Sequence, residues 1–384
     1  MDIFQRYRSE VARARDIIAR GKFLAVVHDG TAHADDTIAA ALLYSAGAEE
    51  VYRVSQQDEM LEIVRGRRAV IADVGYKYYE ALKSAGEVAI LDHHAPNGEP
   101  EYVELPSSLM QTVEALGLRL RPRMQMLFTA ADLVDRFGAL SAKRWLGIYG
   151  ASLNLALSSY FGAVTKGKYA DYNFLSLVAE AASSDFDVQD IAEYSKSYSA
   201  TVGAIDVDPE KYPRALALLR LMKEASRGDT SIYLSPEAYK TGFGIDFSAH
   251  AALAVPQLSE YLAKGLSRYF NENIRAIKTA EERRFVIIEK SIKAIAVEDS
   301  VSPTALWNAL LDLGVLREEE PAIVAVRDLR NPGAYSLWRP DRHKQIDFRK
   351  LAGDRVIFRH QSGFMAVVRA DSAEDAVKYA LMYL

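Results

Sequence analysis

At 384 residues the chain is about two and a half times a typical domain of roughly 150, so more than one packed unit is expected. Hydrophobic residues at 49% and charged residues at 26% lie in the globular range, and the absence of cysteine excludes disulfides, zinc ribbons, iron–sulfur clusters and thiol nucleophiles together. A net charge of −5 argues against a protein that coats nucleic acid with surplus cations, but not against one that grips a short phosphate chain locally.

The first eight residues open a charged amphipathic stretch without the apolar core of a secretory signal, so a soluble, cytoplasmic protein is expected. Phe4, Tyr7, Val11, Ile17 and Ile18 recur at helical spacing over residues 3–20, and Gly21 ends the segment. An apolar strand at Phe23–Val27 leads through Asp29-Gly30 into a helix over 35–45. A strand at 51–54, a helix at 60–64, a strand at 69–72, a helix at 78–84 and a strand at 88–91 complete the series. Strands alternating with helices, and apolar on both faces, predict a parallel sheet covered on each side.

From about Ser107 helices dominate, at Arg123–Phe137, Lys143–Tyr160, Tyr172–Ala182 and Tyr212–Ser226. The apolar stretch 148–164 is broken by Ser, Asn and Gly and reads as a buried helix, not a membrane span. Beyond about Val255 come long amphipathic helices to Glu282, strands at 285–288, 294–297, 322–326, 356–360 and 364–369, and a closing helix at 372–383. The expected fold is α/β: a parallel-sheet domain over 1–140, a helical linker or insertion over 141–254, and a smaller α+β substrate-binding domain over 255–384.

Three predicted strands end in potential metal ligands: the first in His28, the third in Asp73, the fourth in Asp92-His93-His94. Carboxyl ends of parallel strands share one edge of a sheet, where ligands gather at the switch in strand order, so these residues should converge. The first loop adds His33 and Asp35 at a helix start. Taken singly, His28 and Asp73 read as turn or cap residues, and Asp35 and Asp36 as ordinary helix-start residues. Adjacent imidazoles and a carboxylate ending an apolar strand resist that explanation, because such groups are costly to bury without partners. Imidazole and carboxylate donors without sulfur suit Mn2+ or Mg2+. A set of this size can hold two ions sharing a bridging carboxylate, the arrangement that serves phosphoryl transfer.

At these residues the sequence resembles the DHH phosphoesterase superfamily, which includes RecJ-type exonucleases, oligoribonucleases and family II pyrophosphatases. The tripeptide Asp92-His93-His94 matches its name-giving motif. The segment from His28 to Asp36, Asp73-Val74-Gly75, and Phe358-Arg359-His360-Gln361-Ser362-Gly363-Phe364 are similar to motifs of its Myg-type exonuclease branch, with Trp307 and Trp338 in matching order; Ala32, Ala34 and Asp36 stand where that branch has an aromatic, a cysteine and a glutamate. The resemblance implies that His28, His33 and Asp73 hold one ion and that Asp35, Asp73, His93 and a further aspartate hold the other. Asp132 or Asp135 would be that aspartate. It also implies that Asp92 orients a histidine from behind the ligands, that His94 acts on substrate, and that His360, Ser362 and Gly363 face phosphate from the smaller domain.

Between Arg327 and His360 stand nine Lys or Arg, Arg339 and Arg359 among them, against four Asp, with Tyr335, Trp338 and Phe348 interleaved. Cations with aromatic platforms suit a short single strand; a solvated basic face has the same composition. The expected function is a two-metal phosphoesterase, a nuclease of exonuclease or oligoribonuclease type acting on short RNA or single-stranded DNA, with Asp73 and His94 catalytic. The alternatives are a hydrolase of pyrophosphate, a dinucleotide or a nucleoside bisphosphate, and a non-catalytic scaffold with a degenerate metal site. No membrane partner is expected, and a homo-oligomer is left open.

Overall fold

The computed structural model describes residues 2–94, 102, 104–137, 154–163, 166–184, 207–217, 219, 247–282, 285–340, 343–360 and 363–384. The first unit comprises the described residues of 1–202 and 224–267. Its elements are α1 (Ile3–Ala19), β1 (Phe23–Val27), α2 (Ala34–Ser45), β2 (Ala48–Arg53), α3 (Gln57–Val64), β3 (Arg68–Ala72), α4 (Tyr79–Ala85), β4 (Glu87–Leu91), α5 (Ser108–Leu116), α6 (Pro122–Phe137), α7 (Asn154–Ala163), β5 (Gly167–Lys168), α8 (Tyr172–Ala182) and α9 (Phe247–Ala254). The strands run β4-β3-β1-β2-β5, the first four parallel and β5 antiparallel to β2.

Every residue of β1 is buried, as expected of a central strand covered on both faces. Leu24, Val26, Ile71 and Ile90 pack on one side with Met60 and Val64 of α3 and Leu82 of α4. On the other side α2 is buried from Asp35 to Leu43, lying between the sheet and α5, α7 and α8. The middle-region helices α7 and α8 are therefore an outer layer over α2 within the first unit. Two ends are pinned by charge: Glu10 of α1 is buried, pairs with Lys83 Nζ at 2.7 Å and accepts the N–H of Ile90 on the edge strand β4.

The second unit comprises the described residues of 203–223 and 268–384. The long helix α10 (Ser259–Glu282) contains the change from one unit to the other, so the compact units divide the chain differently from the boundaries read at 140 and 254. The strands β6 (Phe285–Glu289), β7 (Ile292–Ala296), β8 (Ala322–Arg327), β9 (Ala334–Trp338), β10 (Val356–Arg359) and β11 (Met365–Arg369) form one sheet in the order β10-β11-β9-β8-β7-β6. Only β7 and β8 are parallel, and α11 (Pro303–Asp312) makes their crossover. The last helix, α12 (Ala373–Tyr383), starts on a Ser372 hydroxyl that accepts from Asp375 N and buries Val377 and Leu381 against the sheet.

The sequence reading differs at several places among the described residues. Residues 212–216, expected as the start of a helix, are turns whose Arg214 and Ala215 N–H groups donate to the Asp312 carboxylate. Both β9 and α11 are additional to the sequence reading, although Ser302-Pro303 carries an N-cap followed by a proline in the first turn. Of the expected helices at 143–160 and 212–226, residues 143–153, 218 and 220–226 lie outside the described residues. Among the described residues, no helix is long and apolar enough to cross a membrane.

Candidate metal centre

In the order β4-β3-β1-β2 the chain leaves β1 towards β2 on one side and returns to β3 on the other. That reversal opens a crevice at the carboxyl ends of β1 and β3, and His28 and Asp73 are the first residues beyond those strands. Asp73 has φ +61°, a left-handed conformation that aspartate tolerates better than most residues, and its N–H continues the ladder to Leu91 O at 3.0 Å. Gly75 turns the chain at φ +120°, where a Cβ would sit 3.3 Å from both Ile71 and Ile90.

The Asp92 carboxylate is fully buried and organises its surroundings. Its Oδ2 accepts from Tyr76 N at 3.1 Å, and its Oδ1 accepts from His94 N at 2.9 Å and lies 2.7 Å from His94 Nδ1. On α2, His33 stands at the N-cap and its N–H donates to Asp36 Oδ1 at 2.8 Å, closing a capping box. Asp35, in the first turn, is buried and accepts from Ser108 Oγ at 2.9 Å.

Three donor groups overlap, each with ligand atoms within 4.8 Å of one another: His28, His33 and Asp73; Asp73, His93 and His94; and His33, Asp35, Asp73 and Asp135. Asp73 belongs to all three. The two aspartates of α6 separate by role. Asp135 Oδ2 lies 3.2 Å from His93 Nε2, whereas Asp132 is used as a bracket, accepting from Ser107 N at 2.7 Å and from Arg136 Nη1 at 2.9 Å. Asp132, the other candidate from the sequence, stands in none of these donor groups.

Electrostatically the cluster is short of positive charge. Burial raises the Asp35 carboxyl well above its ordinary range, and the neighbouring Asp73 and Asp36 raise it further. Burial would lower the His28 imidazole, but Asp36 and Asp73 outweigh it and hold its pKa well above the ordinary value. Asp73 is pulled down, burial being overcome by the hydrogen bond and charge of His28 and then by His94 and His93. His28 Nδ1 lies 2.8 Å from Asp29 O, which leaves Nε2 between Asp36 Oδ2 at 3.1 Å and Asp73 Oδ2 at 3.2 Å. Among the described residues, Asp35 Oδ1 and Asp73 Oδ1 are buried with no hydrogen-bond donor, a costly state that a bound cation would relieve. Oxygen and imidazole donors in this number suit Mn2+ or Mg2+.

Sequence reasoning missed Asp36 and Ser108. The His33-x-x-Asp36 spacing of the capping box was a signal for the first; nothing local marks the second, which reaches Asp35 across 73 residues.

The residues assigned to substrate lie in the second unit. Arg339, expected from the sequence to bind substrate, is 2% exposed, with Nε donating to Ile346 O at 2.5 Å and Nη1 to Pro340 O at 3.0 Å. Arg359 Nη1 donates to Leu351 O at 2.8 Å. The His360 ring packs 4.2 Å from that of Phe364. Gly363 has φ +65°, and a Cβ there would overlap the Asp347 carboxylate. Ser362 lies outside the described residues.

No protein-family model and no curated protein matches the chain. Among solved structures, it is similar to a DHH domain described as a member of the s1p family of ribosomal proteins, at 12% identity and a TM-score of 0.48, over 100% of this chain and 91% of that one. It is also similar to RecJ from Thermus thermophilus in complex with Mn2+, at 15% identity and a TM-score of 0.45. That match covers 98% of this chain and 54% of the RecJ chain, so this chain spans about half the length of that neighbour.

Proposed function

We propose that the chain is a metal-dependent phosphoesterase that hydrolyses phosphodiester bonds of short RNA or single-stranded DNA. The observation that carries the reading is the overlap of three donor groups on one buried carboxylate, Asp73. His28, His33 and Asp73 would hold one divalent ion, and Asp35, Asp73, His93 and Asp135 the other. Ions held there would acidify water and neutralise phosphate charge. Asp92 keeps the His94 ring in place through Nδ1, and the His94 side chain is 41% exposed. An imidazolium so held would donate from Nε2 to a phosphate oxygen or to the leaving oxygen.

A second reading, with pyrophosphate, a dinucleotide or a nucleoside bisphosphate as substrate, is favoured by the second unit, where Arg327, Arg339, Arg349, Arg355 and Arg359 all have acceptors inside their own fold. One assay tests both: turnover with Mn2+ on labelled oligonucleotides of several lengths beside these small phosphates, for wild type and Asp73→Ala. Hydrolysis of oligomers by the wild type and none by the variant is expected. Turnover confined to small phosphates replaces the substrate, and equal turnover by the variant sinks the mechanism. A chain that takes up no stoichiometric manganese would be the non-catalytic scaffold.

A further inference from the structure

We propose that Arg53 is a positioning residue for the loop that carries His28 and His33, and that α7 is the wall against which it works; the inference rests on the metal-centre reading above. Residues 28–33 link β1 to α2 without regular structure, and the two imidazoles stand at the ends of this link. Imidazoles on an irregular segment are placed only as well as that segment is held.

The loop is held from outside. Arg53, the last residue of β2, is 1% exposed. Its Nη2 donates to Gly30 O at 2.9 Å and its Nη1 to Phe161 O at 3.2 Å, while Cζ lies 4.8 Å from the centre of the Phe161 ring. Burying a guanidinium is costly. Among its partners in the described residues are two carbonyl dipoles and an aromatic face, one carbonyl belonging to the ligand loop and one to α7. The planar fork of arginine spans two acceptors at a fixed angle, which an ammonium does not.

A second observation is independent of charge. At Gly162, the next residue of α7, a Cβ would lie 3.0 Å from Ala32 N, 3.2 Å from Ala32 Cβ and 3.4 Å from Gly30 O. The helix therefore meets the loop at backbone distance. Beyond β2, Ser55 Oγ accepts from Asp29 N at 3.2 Å. Asp29, Gly30 and Ala32 are gripped from behind by residues outside every donor group of the centre. The apolar middle of the chain thereby acquires a part in the chemistry: α7 is the surface that sets how far the His28–His33 loop can retreat.

The test is calorimetric titration with Mn2+, with thermal melts in chelator and in manganese, on wild type, Arg53→Lys and Gly162→Ala. The lysine variant should bind manganese about 10–100-fold more weakly, the loss usual when a group supporting ligands is removed. Its turnover should recover towards wild type at saturating metal. Gly162→Ala keeps every charge and favours the helix, yet pushes on Ala32, so its manganese affinity should fall while its melting temperature in chelator holds. A purely structural role lowers the chelator melt and leaves the manganese-induced rise intact. Folded variants with wild-type manganese affinity overturn the proposal, and if Arg53→Lys does not fold, Gly162→Ala decides alone. A wild type that binds no manganese overturns the metal-centre reading itself, and this proposal with it.

Discussion

The carboxyl edge of the first sheet and the basic stretch of the second unit both concentrate charge, and they dispose of it in opposite ways. At the sheet edge Asp35, Asp36, Asp73, His28 and His93 are buried, with Asp35 Oδ1 and Asp73 Oδ1 given no donor among the described residues. In the second unit Arg349 grips Asp347, Arg355 grips Asp375, Arg327 reaches Glu298, and Arg339 and Arg359 donate to carbonyls. A site is marked by buried groups that the fold leaves mutually unsatisfied. A high density of charged residues is not such a mark, because a small sheet with long connections consumes arginines as braces.

The strongest way to break this contrast is to remove the shared carboxylate without disturbing the chain. Asn, like Asp, visits the left-handed region that Asp73 occupies at φ +61°, so Asp73→Asn keeps the backbone while discharging the centre. Manganese-dependent hydrolysis should fall by at least about a thousandfold, the upper range for loss of one electrostatic stabiliser. The chain should still fold, with a lower melting temperature in chelator because the ionised Asp73 no longer pairs with His28. An Asp73→Asn enzyme within tenfold of wild type would mean that the convergence at the strand ends is structural.

The next test divides the two aspartates of α6. Asp135→Asn should weaken manganese binding by about 10–100-fold, since Asp135 lies with His33, Asp35 and Asp73. Asp132→Asn should leave affinity within a few-fold and cost about 1–3 kcal/mol of stability, the range for breaking a buried, charge-assisted bracket. A calorimetric titration and a urea melt on each variant separate them; the reverse pattern would move the ligand to Asp132.

That pair also shows what the sequence could and could not carry. The strand ends and the Asp92-His93-His94 tripeptide are legible because an apolar run ending in imidazoles and carboxylates is costly unless something binds there. Which of Asp132 and Asp135 stands with the other donors is not, because residues three apart share a helix face and the Asp132 carboxylate is engaged by Ser107 and Arg136 from elsewhere in the chain and one turn on. Asp36 reads as a helix-start residue, and it is one; the same carboxylate also lies 3.1 Å from His28 Nε2. Periodicity yields the parallel sheet nearly strand for strand. It loses β9 because Ala334–Trp338 is absorbed into the cationic segment around it, where charge hides the alternation.

Acidity offers a third comparison, between the metal-free and metal-loaded centre. His28 is raised by Asp36 and Asp73 over its burial, so its contribution to stability is complete below the unfolded value of about 6.5 and is lost as pH rises through the higher folded value. Asp35 runs the same way, raised by burial and then by Asp73 and Asp36: the fold keeps a proton that the unfolded chain gives up near about 3.9. Asp73 is lowered, so its contribution persists until the pH falls well below that value. The melting temperature in chelator should therefore decline as pH rises, from about 3.9 through Asp35 and further from about 6.5 through His28. Manganese needs the ligands deprotonated, so its affinity should rise by up to about tenfold per pH unit for each proton released. An affinity flat across this range would remove His28 from the centre.

The smallest effect tests whether the second unit touches nucleic acid at all. With five of its arginines engaged internally, the exposed Lys344 and Lys350 are among the cations left to meet a strand. Each phosphate contact on a single strand contributes about 0.7 to the slope of log affinity against log salt. Changing both lysines to alanine should therefore raise KM for an oligonucleotide several-fold at low salt and flatten its salt dependence by up to about 1.4, two such contacts. Turnover of pyrophosphate should be unchanged, since in this reading so small a substrate is held by the metal centre itself. Exposed lysines contribute little to folding, so stability should stay within about 0.5 kcal/mol. A double variant with unaltered oligonucleotide kinetics and salt slope would leave the basic stretch as bracing alone and shift the substrate towards a small phosphate, the outcome that the internal pairing of Arg349 and Asp347 already favours.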